Sequence, residues 1–163
     1  MFFSIFNTNT LAYKLLSGSL RNKRKHSEQL NKFVAGLFDT DGCIGLFHYK
    51  TRVSNQNKLK IVLTVQQSAV NDPDFQMLRS LQSFYNRGSL YYSYNNIGTE
   101  ASFCAWTLRD KDAKAMYNII SKHMRLKATH FNNLIWLTEE CKDILLTDNH
   151  ILELKEFSEC SIS

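Results

Sequence analysis

Between Ser27 and Gly42 the chain carries one segment that dictates how everything else must be arranged. Leu30, Phe33, Val34, Leu37 and Phe38 recur at i, i+3, i+4, i+7 and i+8, the spacing of a single helix. Ser27 suits the start of that helix as its N-cap, Glu28 puts a negative charge in its first turn, and Gly42 stops it. The pattern predicts a helix from Glu28 to Asp41. Apolar residues surround it on several sides between Phe33 and Phe38, which demands burial in an assembly rather than rest on a surface. Gly36 and Thr40, four apart, share one face and are small enough for a second helix backbone to come close. The chain holds one such segment. Phe33, Ala35, Gly36 and Thr40 are therefore expected to meet the same helix of a second copy. The plainer alternative is a helix packed only on its own sheet.

The pattern then changes from helical spacing to alternation. From Cys43 to Tyr49, Ile44, Leu46 and His48 share one face while Gly45, Phe47 and Tyr49 share the other. A polar turn, Ser54 to Asn57, leads to a strand over Lys58 to Gln67. Its core face reads Leu59, Ile61, Leu63 and Val65, and its other face Lys58, Lys60, Val62, Thr64 and Gln66. Pro73 is expected to open a second helix carrying Phe75, Leu78 and Leu81. Gly88 begins another hairpin, Ser89–Tyr94 and Ala101–Leu108, turning at Asn95 to Gly98. Helices follow over Asp112–Ser121, Lys127–Leu146 and His150–Phe157. The order is αββαββα with helical additions, an α+β domain built on an antiparallel sheet.

A chain of 163 residues fits one domain, here 28–163, preceded by a basic extension over 1–27. That extension has no acidic residue and resembles either an organellar transit peptide or an arm lying along nucleic-acid phosphates. Lys and Arg outnumber Asp and Glu by 20 to 15, which points toward a polyanionic partner. No run approaches the roughly 18 apolar residues of a membrane span, so no membrane partner is expected. Cys43, Cys104, Cys141 and Cys160 are scattered, with no CxxC pair, which argues against zinc and for reduced thiols in an intracellular setting.

The segment Val34-Ala35-Gly36-Leu37-Phe38-Asp39-Thr40-Asp41-Gly42 resembles the signature of the LAGLIDADG homing endonucleases and related maturases. Ala35, Gly36, Leu37, Asp39, Asp41 and Gly42 match outright, and Val34, Phe38 and Thr40 depart conservatively. The likeness extends to the αββαββα order, a strand ending in Gln67, Arg87-Gly88-Ser89-Leu90 at the second hairpin, and Arg125-Leu126-Lys127 before a late helix. It covers roughly residues 28 to 135. The resemblance implies a homodimeric, site-specific double-strand DNA endonuclease of the intron- or intein-homing kind, with a β-saddle for DNA. It also implies divalent metal: Mg²⁺, with Mn²⁺ as an alternative and Ca²⁺ supporting binding with little cleavage.

Physical chemistry supports the same residues. Asp41 falls at a helix C-terminus, where unpaired carbonyls already make the potential negative, and a carboxylate there calls for a cation. Two such ends across a dimer axis gather the oxygens that Mg²⁺ prefers. The resemblance gives Asp41 the role of metal ligand, helped by the Thr40 carbonyl, and leaves Asp39 structural. The alternative is an Asp41 that merely caps the Gly42 turn. Gln67 continues the buried face of its strand as a polar group, and the resemblance makes it a residue that orders water near the metals. A simple strand-end hydrogen bond is the competing account. Lys127 is implied to lie near the scissile phosphate, against the alternative of a solvated lysine at a helix start. The basic residue usual just after the strand glutamine is missing from Ser68-Ala69-Val70-Asn71.

Tyr49, Thr51, Arg52, Lys58, Lys60, Thr64 and Gln66 are expected to contact DNA, since a β-ribbon fits the major groove and Lys, Gln and Thr read base edges. Alternating polar residues are otherwise just a wet face. The second hairpin leaves open whether Tyr91 and Ser93 or Tyr92 and Tyr94 face outward, and Phe47 is expected to tuck under the first hairpin turn. An RNA-binding intron maturase and a DNA-binding regulator that does not cut are the competing functions. A composition rich in Asn, Phe, Tyr and Lys suits an AT-rich genome, that of a phage or of a chloroplast or mitochondrion in an alga, fungus or protist.

Overall fold

The structure, a computed structural model, describes residues 23–94 and 100–156. Helix α1 spans Lys23–Thr40, strands β1 Gly42–Lys50 and β2 Asn57–Ser68 follow, and α2 covers Gln76–Tyr85. Strands β3 Ser89–Tyr94 and β4 Ala101–Arg109 then lead to α3 Lys111–Ile120, α4 Ala128–Glu140 and α5 Asp148–Lys155. The αββαββα order and the α+β class are as expected. Most of the basic extension and the Asn95–Gly98 turn lie outside the described residues.

The strands form one antiparallel sheet in the order β1-β2-β4-β3. Strands β1, β2 and β4 each bury alternate residues on the same side, because successive side chains of a pleated strand point opposite ways. Ile44, Leu46, Ile61, Leu63, Val65, Cys104, Trp106 and Leu108 make that inner face, and α1 to α4 pack on it. Phe38 of α1 meets Trp106 with ring centroids 5.7 Å apart, tying the first helix to the centre of the sheet. The indole N–H of Trp106 donates to the Arg87 carbonyl at 2.9 Å, beside Gly88 at φ +78°. A Cβ on Gly88 would lie 2.7 Å from that indole nitrogen, so only glycine permits the turn.

Several boundaries differ from expectation for identifiable reasons. Helix α1 is already under way at Lys23, so Ser27 lies inside it and is not its N-cap. Pro73 does not open α2; Phe75, buried and in the left-handed region at φ 51°, precedes its first residue. The start of α2 is held instead by Asp72, whose Oδ2 accepts from the Met77 N–H at 3.0 Å. Helix α4 stops at Glu140 rather than Leu146, because Ile144 and Leu145 face solvent and give a further turn nothing to bury. Leu146 instead pairs with Asn57 at the head of β2, where the Asn57 side-chain amide donates to the Leu146 carbonyl at 2.9 Å. Of the cysteines, Cys104 and Cys141 are free thiols, and Cys160 lies outside the described residues. Among the described residues no helix is long and apolar enough to cross a membrane.

Candidate active site and nucleic-acid interface

The last turn of α1 presents two carboxylates with opposite surroundings. Residues two apart on a helix project about 200° apart, so Asp39 turns inward and Asp41 outward. Asp39 is 7% exposed and accepts the backbone N–H groups of Arg125 at 2.6 Å, Leu126 at 3.2 Å and Lys127 at 3.0 Å. A carboxylate on the amides that lead into α4 complements the positive end of that helix. Asp39 thereby anchors the Arg125–Lys127 segment, and the Lys127 ammonium swings back to donate to the Gly42 carbonyl at 2.6 Å. Gly42 is glycine for lack of room: a Cβ there would sit 2.6 Å from the Phe38 carbonyl oxygen.

Asp41 and Thr40 stand exposed at the same turn. The Thr40 hydroxyl donates back to the Gly36 carbonyl at 2.9 Å, and the Asp41 N–H to the Leu37 carbonyl at 2.9 Å. Asp41, Thr40 and Lys127 therefore converge on the α1–β1 junction. Gln67 lies on the buried face that its parity indicated, 1% exposed, but its side-chain amide donates to Asp72 Oδ2 at 3.2 Å and not to Asp41. Among the described residues no cluster of three or more His, Cys, Asp or Glu could hold a metal ion. One chain offers a single exposed carboxylate at a helix end rich in carbonyls. That set fits a Mg²⁺ ion, which is commonly held through one or two carboxylates plus substrate phosphate oxygens and water.

The helix face expected to meet a second copy is partly open. A Cβ on Gly36 would meet nothing within 4 Å, Phe33 is half-buried and Thr40 exposed. Phe33, Gly36 and Thr40 form one stripe at i, i+3 and i+7. Ala35 does not belong to it. At 0% exposure its side chain is already enclosed by its own chain, because the helical turn of about 100° per residue rotates it toward the sheet.

On the other side of the sheet, Lys60, Thr64 and Gln66 of β2 are joined by Phe103, Ala105, Thr107 and Arg109 of β4. The β3–β4 register sets Tyr91 opposite Ala105 and Ser93 opposite Phe103, so Tyr91 and Ser93 face outward and Tyr92 faces the core. Phe47 does not tuck under the turn. It stacks on Tyr49 at 6.3 Å, and the Arg109 guanidinium lies 5.5 Å above it. Arg109 also covers Tyr91 at 5.4 Å and donates to its hydroxyl at 2.7 Å, while the Lys60 ammonium lies 4.9 Å over Tyr49. The hydrogen bond from the guanidinium holds the Tyr91 hydroxyl below its ordinary pKa. Arg109 was legible only by extending the β4 alternation one residue past Leu108.

The remaining expected DNA contacts are placed less uniformly. Gln66 and Arg52 are exposed, and Thr64 shares a 3.0 Å hydroxyl contact with Thr107 across the strands. Thr51 serves the hairpin turn, its hydroxyl meeting Ser54 at 2.6 Å and accepting the Gln56 N–H at 3.1 Å. Lys58 turns toward the segment after α4, where its ammonium donates to the Lys142 carbonyl at 3.2 Å.

Residues 34–141 match the family model described as LAGLIDADG endonuclease. No curated protein matches the chain. Among solved structures, the fold is similar to homing endonuclease I-CvuI in complex with its target, at TM-score 0.57 and 17% identity. That match covers 82% of this chain and 80% of I-CvuI. The archaeal intron-encoded homing endonuclease I-Vdi141I, complexed with DNA, matches at TM-score 0.55 and 11% identity over 78% of each chain. The LAGLIDADG meganuclease I-CpaMI, bound to uncleaved DNA, matches at TM-score 0.56 and 13% identity, over 78% of this chain but 42% of its own. At these identities the structural likeness establishes the fold.

Proposed function

The chain belongs to the LAGLIDADG endonuclease family, and from that membership we propose that it cuts both strands of a specific DNA site as a metal-dependent homodimer. The observation that carries this reading is the convergence of Asp41, Thr40 and Lys127 at the junction of α1 and β1, beside an outward sheet face bearing Lys60, Gln66 and Arg109. Asp41 would hold a divalent ion through its carboxylate, with the Thr40 carbonyl as a further oxygen. Such an ion, when bound, would supply Lewis-acid activation of water and charge neutralisation at the leaving oxygen. Lys127 contributes a fixed positive charge where the phosphate gains negative charge during attack. Its ammonium is already oriented by the Gly42 carbonyl, and its backbone by Asp39.

Pairing of two copies through Phe33, Gly36 and Thr40 brings two Asp41 ends together, one per DNA strand. Coverage of 80% of I-CvuI against 42% of I-CpaMI suits a chain that supplies half of a two-part scaffold. A homodimer reads two similar half-sites, so the target is long and roughly palindromic. The setting that goes with this reading is an organellar or phage mobile intron. Incubating the protein with a randomised duplex library and Mg²⁺, then sequencing the ends, tests it. Paired cuts at one recurrent site are expected. Binding without cuts at any Mg²⁺ or Mn²⁺ concentration would indicate a binding protein on this scaffold.

A further inference from the structure

Gln67 is 1% exposed, and its side-chain nitrogen donates to Asp72 Oδ2 at 3.2 Å. Asp72 is itself buried and fixed, since the same oxygen accepts the Met77 N–H at 3.0 Å in the first turn of α2. A carboxylate only accepts hydrogen bonds, so the nitrogen of Gln67 must face Asp72 and the carbonyl Oε1 must face the other way. That oxygen is buried, and no donor among the described residues reaches it. Buried carbonyls are rarely left without a donor, so this one calls for a partner beyond the described residues, a role that a water molecule fits.

The sheet register places Gln67 close to the proposed site. Val65 stands opposite Gly42, the first residue of β1, so Gln67, two residues further along β2, lies at the end of the sheet where α1 gives way to Asp41 and β1. Gln67 alternates with Leu63 and Val65 on the face where α1 packs. We propose that Asp72 is a positioning residue for DNA hydrolysis, holding Gln67 so that its carbonyl accepts a hydrogen from the attacking water. In that step the water oxygen forms a bond to phosphorus and one ester P–O bond breaks, its electron pair leaving on the sugar oxygen. The released proton passes to solvent. Gln67 takes no proton, because an amide carbonyl is too weak a base; it only orients the water. The inference rests on the nuclease reading above.

A duplex recovered from the randomised library serves for single-turnover cleavage in Mg²⁺ and for binding in Ca²⁺. Asp72→Ala should slow cleavage by about 10²-fold, the scale of one lost transition-state contact, with DNA affinity unchanged. The double variant Q67A/D72A should be no slower than Q67A alone, because Asp72 acts through Gln67. D72N keeps an acceptor oxygen for Gln67 and Met77, and should recover most of the rate lost in D72A. Full-rate cutting by D72A overturns the proposal, as does an equal further loss when D72A is added to Q67A. A melting curve reports whether D72A folds. Should it not, Gln67→Glu sets two carboxylates face to face and should lose cleavage, and adding D72N should restore it by about tenfold or more. No rescue overturns the proposal. A wild-type protein that binds the library yet cuts none of it removes the nuclease reading, and this proposal with it.

Discussion

Asp39 and Asp41 leave the last turn of α1 from opposite sides, and the chain answers their needs differently. Three backbone N–H groups satisfy the buried Asp39, whereas Asp41 is exposed. Asp39 is a group whose loss the fold must feel, since removing it strands buried amides at the entrance to α4. Asp41 has no such duty, and its position at the negative end of a helix is unfavourable for stability without a cation. Two identical side chains, two residues apart, are thus divided between holding the structure and, in the proposed function, serving the chemistry.

The sharpest test of that division is Asp41→Asn. Single-turnover cleavage should fall by about 10³-fold, or about 4 kcal/mol of transition-state stabilisation, while stability in chemical denaturation is kept or slightly raised, because the unfavourable charge is gone, and DNA binding survives. Full-rate cutting would dissolve the contrast. Asp39→Ala should do the reverse in emphasis. It should cost about 2–4 kcal/mol in urea denaturation, because a charged acceptor for three amides is lost. Cleavage should fall as well, since Lys127 loses the anchor of its backbone. An Asp39→Ala protein as stable as the wild type would show that the cap is not structural.

Smaller effects sharpen the same contrast on the outward face. Arg109→Ala should lower the salt dependence of DNA binding by about one ion per half-site if the guanidinium meets phosphate. The same change should raise the Tyr91 pKa toward its ordinary value near 10, because the guanidinium at present stabilises the phenolate. An ultraviolet titration reads this: at a fixed pH just below 10, Tyr91 should be less ionised in the variant. The smallest effect should separate two lysines of one strand. Lys60→Ala should reduce the salt slope by about one, and Lys58→Ala should leave it nearly unchanged, since Lys58 is turned to the Lys142 carbonyl. Equal losses would mean that Lys58 swings out to DNA.

By itself the sequence determined whatever follows from backbone periodicity. Helical spacing from Leu30 to Phe38 sufficed to find α1, and parity along β2 assigned Ile61, Leu63, Val65 and Gln67 to one face, because both periods are local backbone geometry. The signature from Val34 to Gly42 indicated the family for the same reason. Tertiary structure decided which side chains meet, whether the partner is near or far along the chain. Asp72 became the partner of Gln67 through the way α2 begins, and Arg109 met Phe47 only once β4 lay beside β2. Ala35 proved enclosed in its own chain, Thr51 was taken up by a turn, and Lys58 was drawn to the segment after α4. No local pattern encodes such pairings, since a hydrogen bond across 84 residues, like that from Lys58 to Lys142, leaves no periodic trace in the chain.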